Sequence, residues 1–237
     1  MNLNRSIFYL FFNILILVGL ISFSSYRYRE QKKVMVKVEF TKKPILLNDS
    51  LVNKLLTQKL GAKFILNEDS LDLNILESKM NKIPEVENTE IFLLPDGVMS
   101  ILITERKPLF KFDSTPSVYS DANGVLFNFN NIDSVPYPKF KTTSSNISIE
   151  TTALLIKNLK ADPFLSEELK RVRLNDNQYQ LKLKSFDFKI IFGSTDRIKE
   201  KIKKLKVFCA FQTLQDSLNH FKKINLSYKN QVVASTP

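Results

Sequence analysis

The sequence predicts an α+β protein that begins with one membrane-spanning helix. An uncharged apolar run lies near the N-terminus, and the rest of the chain alternates between helical and period-two apolar patterns separated by turn residues. With 237 residues, 43% of them hydrophobic, the chain can bury a sizeable core in one or two domains beyond the membrane segment.

The apolar run covers residues 7–23 and contains no charge. Thirteen of these 17 residues are Leu, Ile, Val or Phe, which favours membrane insertion by roughly 4 to 8 kcal/mol. A cleaved signal peptide is the alternative interpretation, but Ser22-Phe23-Ser24 is a poor cleavage site inside a long apolar run. We therefore expect an uncleaved anchor.

The flanking charges disagree with the expected orientation. Arg5 alone precedes the helix, whereas Arg27, Arg29, Lys32 and Lys33 follow it, and the positive-inside rule would keep the following side cytoplasmic. Long domains translocate largely regardless of charge, so we still predict an extracytoplasmic main body. This assigns residues 1–6 to a cytoplasmic tail, 7–23 to the membrane helix and 24–33 to a linker.

Residues 34–108 are predicted to form a β-α-α-β-β domain. Helix caps, apolar periodicity and a Pro-Asp-Gly turn mark its elements. The predicted strands cover residues 34–40, 86–94 and 98–105, and the predicted helices cover 51–60 and 74–82.

Residues 109–237 are predicted to form a β domain with a long C-terminal helix. The alternation of Tyr179, Leu181 and Leu183 with polar neighbours indicates a sheet with one buried face. The predicted elements are a hairpin around 122–124, a helix over 149–160, strands over 169–174, 178–184 and 187–192, a helix from 198 to 221, and a last strand over 224–233.

Three motifs in this order resemble those of a POTRA domain in the form found in the FtsQ/DivIB family. They are Ile83-Pro84-Glu85-Val86, Leu94-Pro95-Asp96-Gly97 and Thr104-Glu105-Arg106-Lys107-Pro108, and the two-proline loop Val135-Pro136-Tyr137-Pro138 continues the likeness. An outer-membrane transporter with a POTRA domain would also need many barrel strands, for which the sequence has no pattern.

The resemblance implies a non-enzymatic scaffold of the bacterial division machinery, in the inner membrane at the septum. Its periplasmic part would dock FtsB- and FtsL-like partners and other division proteins. In the family, a tyrosine in a Leu-x-Tyr pattern near the C-terminal strand is central to the surface that holds FtsB, and Leu226-Ser227-Tyr228 matches this pattern. The implied partner-binding residues are Asn225, Leu226, Ser227, Tyr228, Lys229, Asn230 and Val232.

A structural interpretation of the same segment stays open, in which Ile224, Leu226 and Tyr228 all point into the core. Some relatives carry arginine where Ser227 stands, so an ion pair to an acidic partner would have to move, for example to Lys229.

No catalytic, cofactor-binding or metal-binding residue is predicted, and no small-molecule substrate. Phosphate, dinucleotide and zinc motifs are absent. Cys209 and His220 are the single cysteine and histidine, and on one helix they would lie roughly 16 Å apart. Acidic pairs such as Asp72 with Glu77 or Glu167 with Glu168 suit helix ends better than acid–base catalysis. A POTRA-type binding protein of an envelope transport system and a membrane-anchored hydrolase are the alternative functions.

The net charge of +11 would suit an anionic partner of any kind. The densest basic cluster lies within residues 197–206, where apolar residues interleave at helical spacing. These cations are predicted to face water on an amphipathic helix without an aromatic platform, so nucleic-acid binding is not expected.

Overall fold

The protein is described here by a computed structural model, which describes residues 3–30, 35–44, 47, 72–115, 117–128, 136–143, 147–214 and 221–236. The chain divides into two compact units, an N-terminal unit (Met1–Glu105) and a C-terminal unit (Arg106–Pro237). The helix predicted over residues 51–60 lies outside the described residues, as do residues 215–220 of the helix predicted to reach residue 221, among them His220. Phe221 itself is described and is not helical.

The N-terminal unit begins with one long apolar helix. Its elements are α1 (Leu3–Glu30), β1 (Met35–Phe40), α2 (Leu73–Met80), β2 (Val86–Leu93) and β3 (Val98–Glu105). In α1 the segment Ile7–Tyr26 is long and apolar enough to cross a membrane, judged by its length and composition, and its side chains are exposed. This segment contains the apolar run that predicted a membrane helix.

The three strands of this unit form a sheet in the order β1-β3-β2. Strand β1 runs parallel to β3, with Met35 opposite Val98, and β2 runs antiparallel to β3. Helix α2 packs on the sheet through Leu76 and Met80, which lie in one core with Met99 and its neighbours on β3. The parallel pairing requires a crossover between β1 and the hairpin.

Two of the suspected acidic residues have structural partners in this unit. The Asp72 carboxylate accepts hydrogen bonds from the N–H groups of Asn74 and Ile75 and thereby caps α2. The Glu77 carboxylate accepts the Ile91 N–H at 2.8 Å, which ties α2 to β2.

The C-terminal unit is built on a nine-stranded mixed sheet in the order β12-β11-β10-β9-β8-β7-β4-β5-β6. Its strands are β4 (Phe110–Phe112), β5 (Val118–Ser120), β6 (Leu126–Asn128), β7 (Lys139–Thr142), β8 (Leu169–Asn175), β9 (Gln178–Leu183), β10 (Lys189–Gly193), β11 (Lys223–Asn225) and β12 (Val233–Ser235). Its helices are α3 (Ile149–Ala161), α4 (Pro163–Glu168) and α5 (Ile198–Leu214).

One face of this sheet carries the core. Alternate strand residues such as Phe140, Val172, Leu181, Ile190 and Ile224 are buried, and they form one cluster with the apolar faces of the helices. Ser148 caps α3 by accepting the Thr151 N–H at 3.1 Å, and Asp162 caps α4. The opposite face carries polar and charged residues over β7, β8 and β9, as the period-two pattern predicts, whereas the buried Tyr119 and Phe127 share this face at the β5–β6 end.

The prediction of one long last strand over residues 224–233 is wrong. The chain forms two short antiparallel strands, β11 and β12, with Ile224 opposite Ala234. The turn between them includes Asn230, whose φ of +63° is incompatible with a strand. The period-two pattern therefore covers a strand, a turn and a second strand.

Arg106 and Asp121 form a buried ion pair at the start of the C-terminal unit. Their side chains are 10% and 5% exposed, and Nη1 lies 2.5 Å from Oδ2. The other carboxylate oxygen of Asp121 accepts the N–H groups of Asn123 and Val125 in the turn before β6. The pair therefore joins the segment before β4 to the hairpin of β5 and β6.

Candidate partner-docking site

Strand β12 lies at one end of the nine-stranded sheet. Its partner on one side is β11, and no described strand pairs with its other side. Val233 is 42% exposed on this strand, whereas Ala234 packs partly against the core. An edge strand has backbone N–H and C=O groups that can pair with an added strand from another chain.

The turn before β12 is held against the start of α5 by three polar side chains. Arg197 Nη2 donates to the Ser227 carbonyl at 3.1 Å, and Lys204 Nζ donates to the Tyr228 carbonyl at 2.8 Å. The Glu200 carboxylate accepts from Lys204 and from the Asn230 backbone, and these hydrogen bonds lower the pKa of Glu200. These contacts fix the turn without using the side chain of Tyr228.

Tyr228 presents its side chain to solvent. It is 48% exposed, whereas Ile224 and Leu226, the preceding members of the same alternation, are fully buried. The Leu226 N–H donates to the Ile191 carbonyl at 2.8 Å, which extends the pairing of β11 with β10 by one residue. The chain turns away from the sheet after Leu226, so the core includes two of the three alternating residues and leaves the tyrosine outside.

Gly193 allows the turn to approach the end of β10. Its φ is +78°, and a Cβ at this position would lie 2.5 Å from Ser227 Oγ. The Asn225 side chain accepts the Ser227 N–H at 2.9 Å from the other side. Ser227 therefore lies against the end of β10 in a space that only glycine provides.

A charged cluster at the start of α5 supports this arrangement. Lys201 is fully buried, its Nζ lies 2.7 Å from Asp196 Oδ1 and 5.3 Å from the centre of the Phe192 ring, and it also donates to the Ser194 carbonyl. Hydrogen bonds from Lys201, Ser194 and Arg197 hold the pKa of Asp196 well below its usual range. The prediction that all cations of residues 197–206 face water is wrong for Lys201, because a carboxylate and a carbonyl pair with its ammonium group.

An apolar cavity of about 490 Å³ lies between α5 and the turn. Its apolar lining comes from Val207, Phe208, Phe211 and Val232, and Lys203 stands at its rim. Val207 and Phe211 are 63% and 48% exposed. Sequence reasoning missed these helix residues, although two exposed apolar residues four apart on a basic helix are a detectable signal.

The structure brings the predicted partner-binding residues into one segment, but with different exposures. Lys229 and Asn230 are exposed with Tyr228, whereas Asn225, Ser227 and Val232 are partly buried. Leu226 is fully buried, so its side chain belongs to the core.

The other residues considered for catalysis or metal binding have structural roles or lack the neighbours that such a site needs. Cys209 is 1% exposed, and burial raises the pKa of its thiol to about 12. Glu168 accepts hydrogen bonds from the N–H and hydroxyl of Ser185. Within the described part of the chain, no three His, Cys, Asp or Glu residues group as a metal site would require.

These features define an α+β protein with an apolar N-terminal helix and a large mixed sheet that ends in an exposed strand. The family model described as FtsQ/DivIB, C-terminal related matches residues 107–235, which is most of the C-terminal unit. The chain belongs to this family, a family of non-enzymatic scaffolds associated with cell division. A comparison with curated proteins gives no match.

Proposed function

We propose that this chain is a single-pass scaffold of the bacterial division machinery that docks a partner protein along β12 and over Tyr228. The observation that carries the proposal is the contrast between Tyr228, 48% exposed on a braced turn, and the fully buried Leu226 two residues earlier. A large aromatic side chain held in place beside a free strand edge suits an interface anchor.

The family supplies the partner class. FtsB- and FtsL-like division proteins are the proposed partners, with an FtsB-like segment adding a strand to β12. Backbone pairing along β12 would give affinity, and contact with Tyr228 would give specificity. The apolar cavity beside the turn offers further area for the same partner.

The part of the N-terminal unit that follows α1 has the proposed role of a POTRA-like module. Its sheet order β1-β3-β2, with β1 parallel to β3 and α2 on one face, supports this role. The proposed location is the inner membrane at the septum, with the N-terminus cytoplasmic and the strands of both units periplasmic. The family membership supports the septal location and this orientation, and the apolar segment Ile7–Tyr26, which precedes the strands of both units, supports a single membrane span.

The test compares Tyr228→Ala with Leu154→Ala in the full chain. Leu154 is 52% exposed on α3, so both changes remove a half-exposed apolar side chain from the same unit. The affinity-tagged chain is purified from membranes of its source organism, and co-purified FtsB- and FtsL-like proteins are quantified by mass spectrometry. We expect Tyr228→Ala to reduce their recovery about tenfold or more, and Leu154→Ala to leave it unchanged.

Thermal melting of both variants separates docking from folding. An exposed truncation costs little stability, so both melting temperatures should stay close to that of the unmodified chain. Full recovery of the partners with Tyr228→Ala, or loss of folding in this variant, would contradict the proposed anchor.

A further inference from the structure

The open face of the C-terminal sheet carries cations in register across six neighbouring strands. We call this row the cationic ladder; it consists of Lys111, Lys139, Arg171, Lys182, Lys189 and Lys223. Lys111 is opposite Lys139, Lys139 is opposite Arg171, and Arg171 is opposite Lys182. The side chains of residues directly opposite each other lie on the same face of a sheet.

The row continues toward the C-terminal edge. Ile190 is opposite Leu181 in the antiparallel pair of β9 and β10, so the next position aligns Lys189 with Lys182. Lys189 is then opposite Lys223, which completes the six strands. Strands lie about 4.8 Å apart, so the ladder extends over roughly 24 Å.

Like charges directly opposite each other destabilise a sheet. Among the described ion pairs, two carboxylates contact the ladder: Asp113 lies 3.8 Å from Lys139 and 3.6 Å from Arg171, and Asp187 lies 3.1 Å from Lys182. Six cations against two carboxylates leave a strongly positive strip. This row of like charges lowers the stability of the folded sheet, so its presence favours a function in binding.

A cavity of about 300 Å³ lies at the middle of the ladder. Two buried polar atoms beside it, Arg171 Nε and Gln180 Oε1, have no hydrogen-bond partner among the described residues. An unpaired buried donor and an unpaired buried acceptor in the lining of one cavity suit a polar ligand that supplies their partners. The cavity is lined by Arg171, Arg173, Gln180, Leu181, Lys182, Asp187 and Lys189.

We infer that the cationic ladder docks an acidic α-helix of a partner protein, a surface distinct from β12 and Tyr228. Carboxylates three or four residues apart on a helix lie 5 to 6 Å apart, close to the spacing of the strands. A helix laid across three or four strands would therefore place one carboxylate near each cation. The donor and acceptor at the central cavity fit the mixed polar side chains of a protein surface.

The geometry disfavours two other anionic partners. Neighbouring strands rotate by about 20 to 25°, so the ladder turns by roughly 100° or more and a flat bilayer meets only part of it. Among the described residues no aromatic side chain lines the central cavity, and Tyr119 and Phe127, which share this face beyond Lys111, are buried, so single-stranded nucleic acid lacks an exposed stacking platform on the ladder. Binding of a protein helix requires neither a flat surface nor an exposed aromatic ring.

The test uses the full chain in neutral detergent micelles and an alanine-based helical peptide with glutamate at every fourth position. The variant Lys182→Gln with Lys189→Gln removes two cations from the middle of the ladder. The control Lys157→Gln with Lys199→Gln removes two exposed cations from α3 and α5. Peptide binding is measured by fluorescence anisotropy at several salt concentrations, with a glutamine version of the peptide as the uncharged probe.

We expect the ladder variant to bind the acidic peptide about tenfold more weakly than the unmodified chain, and the control variant to bind it nearly unchanged. The melting temperature of the ladder variant should stay close to that of the unmodified chain, because the removal of a like-charge pair offsets the loss of the exposed Lys182–Asp187 pair. A structural role for these lysines would lower it.

Three results would overturn the inference. Equal losses of affinity for the acidic peptide in the ladder variant and the control variant would indicate general attraction to a basic protein. Equal binding of the glutamine peptide would exclude charge recognition. Stronger ladder-dependent binding of an oligothymidylate or of phosphatidylglycerol vesicles than of the acidic peptide would assign the surface to nucleic acid or to a membrane.

Discussion

Buried charges in the C-terminal unit have direct partners, and these pairs organise the chain locally. Lys201 pairs with Asp196 at the start of α5, and Arg106 pairs with Asp121 at the start of the unit. Removing one member of a buried pair leaves the other charge uncompensated, which costs far more than the pair contributes relative to apolar residues. Such residues are therefore sensitive to single substitutions.

The substitution Asp121→Ala should lower the free energy of unfolding by about 3 to 5 kcal/mol, because it leaves the Arg106 guanidinium buried without a carboxylate. It also removes the acceptor of two backbone N–H groups in the turn before β6. Urea denaturation of the full chain in detergent micelles, followed by fluorescence of its tyrosines, measures the change.

Asp187→Ala is the matched control, because Asp187 pairs with Lys182 while its side chain is 89% exposed. An exposed pair contributes at most about 1 kcal/mol. Similar decreases in the free energy of unfolding for Asp121→Ala and Asp187→Ala would show that burial does not raise the contribution of the Arg106–Asp121 pair to stability.

At the residue scale the sequence identified Tyr228 but not its environment. The period-two pattern treats Ile224, Leu226 and Tyr228 alike, although the first two are buried and the third is half-exposed. A pattern records the spacing of apolar residues and contains no information about where the chain leaves the sheet. The turn after Leu226 decides that boundary and leaves Tyr228 outside the core.

At the scale of elements, the position of the turn between β11 and β12 depends on the end of β10. Ser227 fits against Gly193 because glycine has no Cβ and adopts the positive φ that the strand end requires. The turn is therefore coupled to a strand more than thirty residues earlier in the chain.

Gly193→Ala should displace Ser227 and the adjoining Tyr228 and weaken partner recovery in the co-purification assay. The added Cβ would lie 2.5 Å from Ser227 Oγ, so the turn must move. Adding Ser227→Gly removes the clashing hydroxyl and should restore part of the recovery, although the strain of the positive φ stays. No rescue by the second substitution would show that the turn does not act through this contact.

Elements with long periodic patterns were predicted well, and so was the short hairpin of β5 and β6, which has turn residues at 122–124, whereas other short elements were missed. The helix α3 and the strands β8, β9 and β10 lie close to their predicted positions. Strands β4 and β7 have three and four residues, too few to show a period, and they form because neighbouring strands supply their hydrogen bonds. The short helix α4 was likewise not predicted.

At the scale of the whole molecule, the apolar segment Ile7–Tyr26 is long and apolar enough to cross a membrane. Its mean hydropathy of 2.3 suits a spanning helix. Charge at the centre of such a helix opposes insertion strongly.

The double substitution Leu15→Arg with Val18→Arg should release the chain from membranes. Two arginines at the helix centre cost about 5 to 7 kcal/mol together, comparable with the total that favours insertion. Extraction of membranes with alkaline carbonate measures the change, and Leu15→Ile with Val18→Leu is the apolar control. Retention of the arginine variant in the membrane pellet would show that another part of the chain anchors it.

Composition and local spacing indicate the apolar N-terminal helix, the α+β class, the family resemblance and the lack of familiar catalytic motifs. Only the folded structure shows which side chains of the last segment are buried, that this segment forms two strands, and that six cations from distant positions align in one row. These depend on strand order and register, which arise from long-range backbone pairing and leave no local periodic signal.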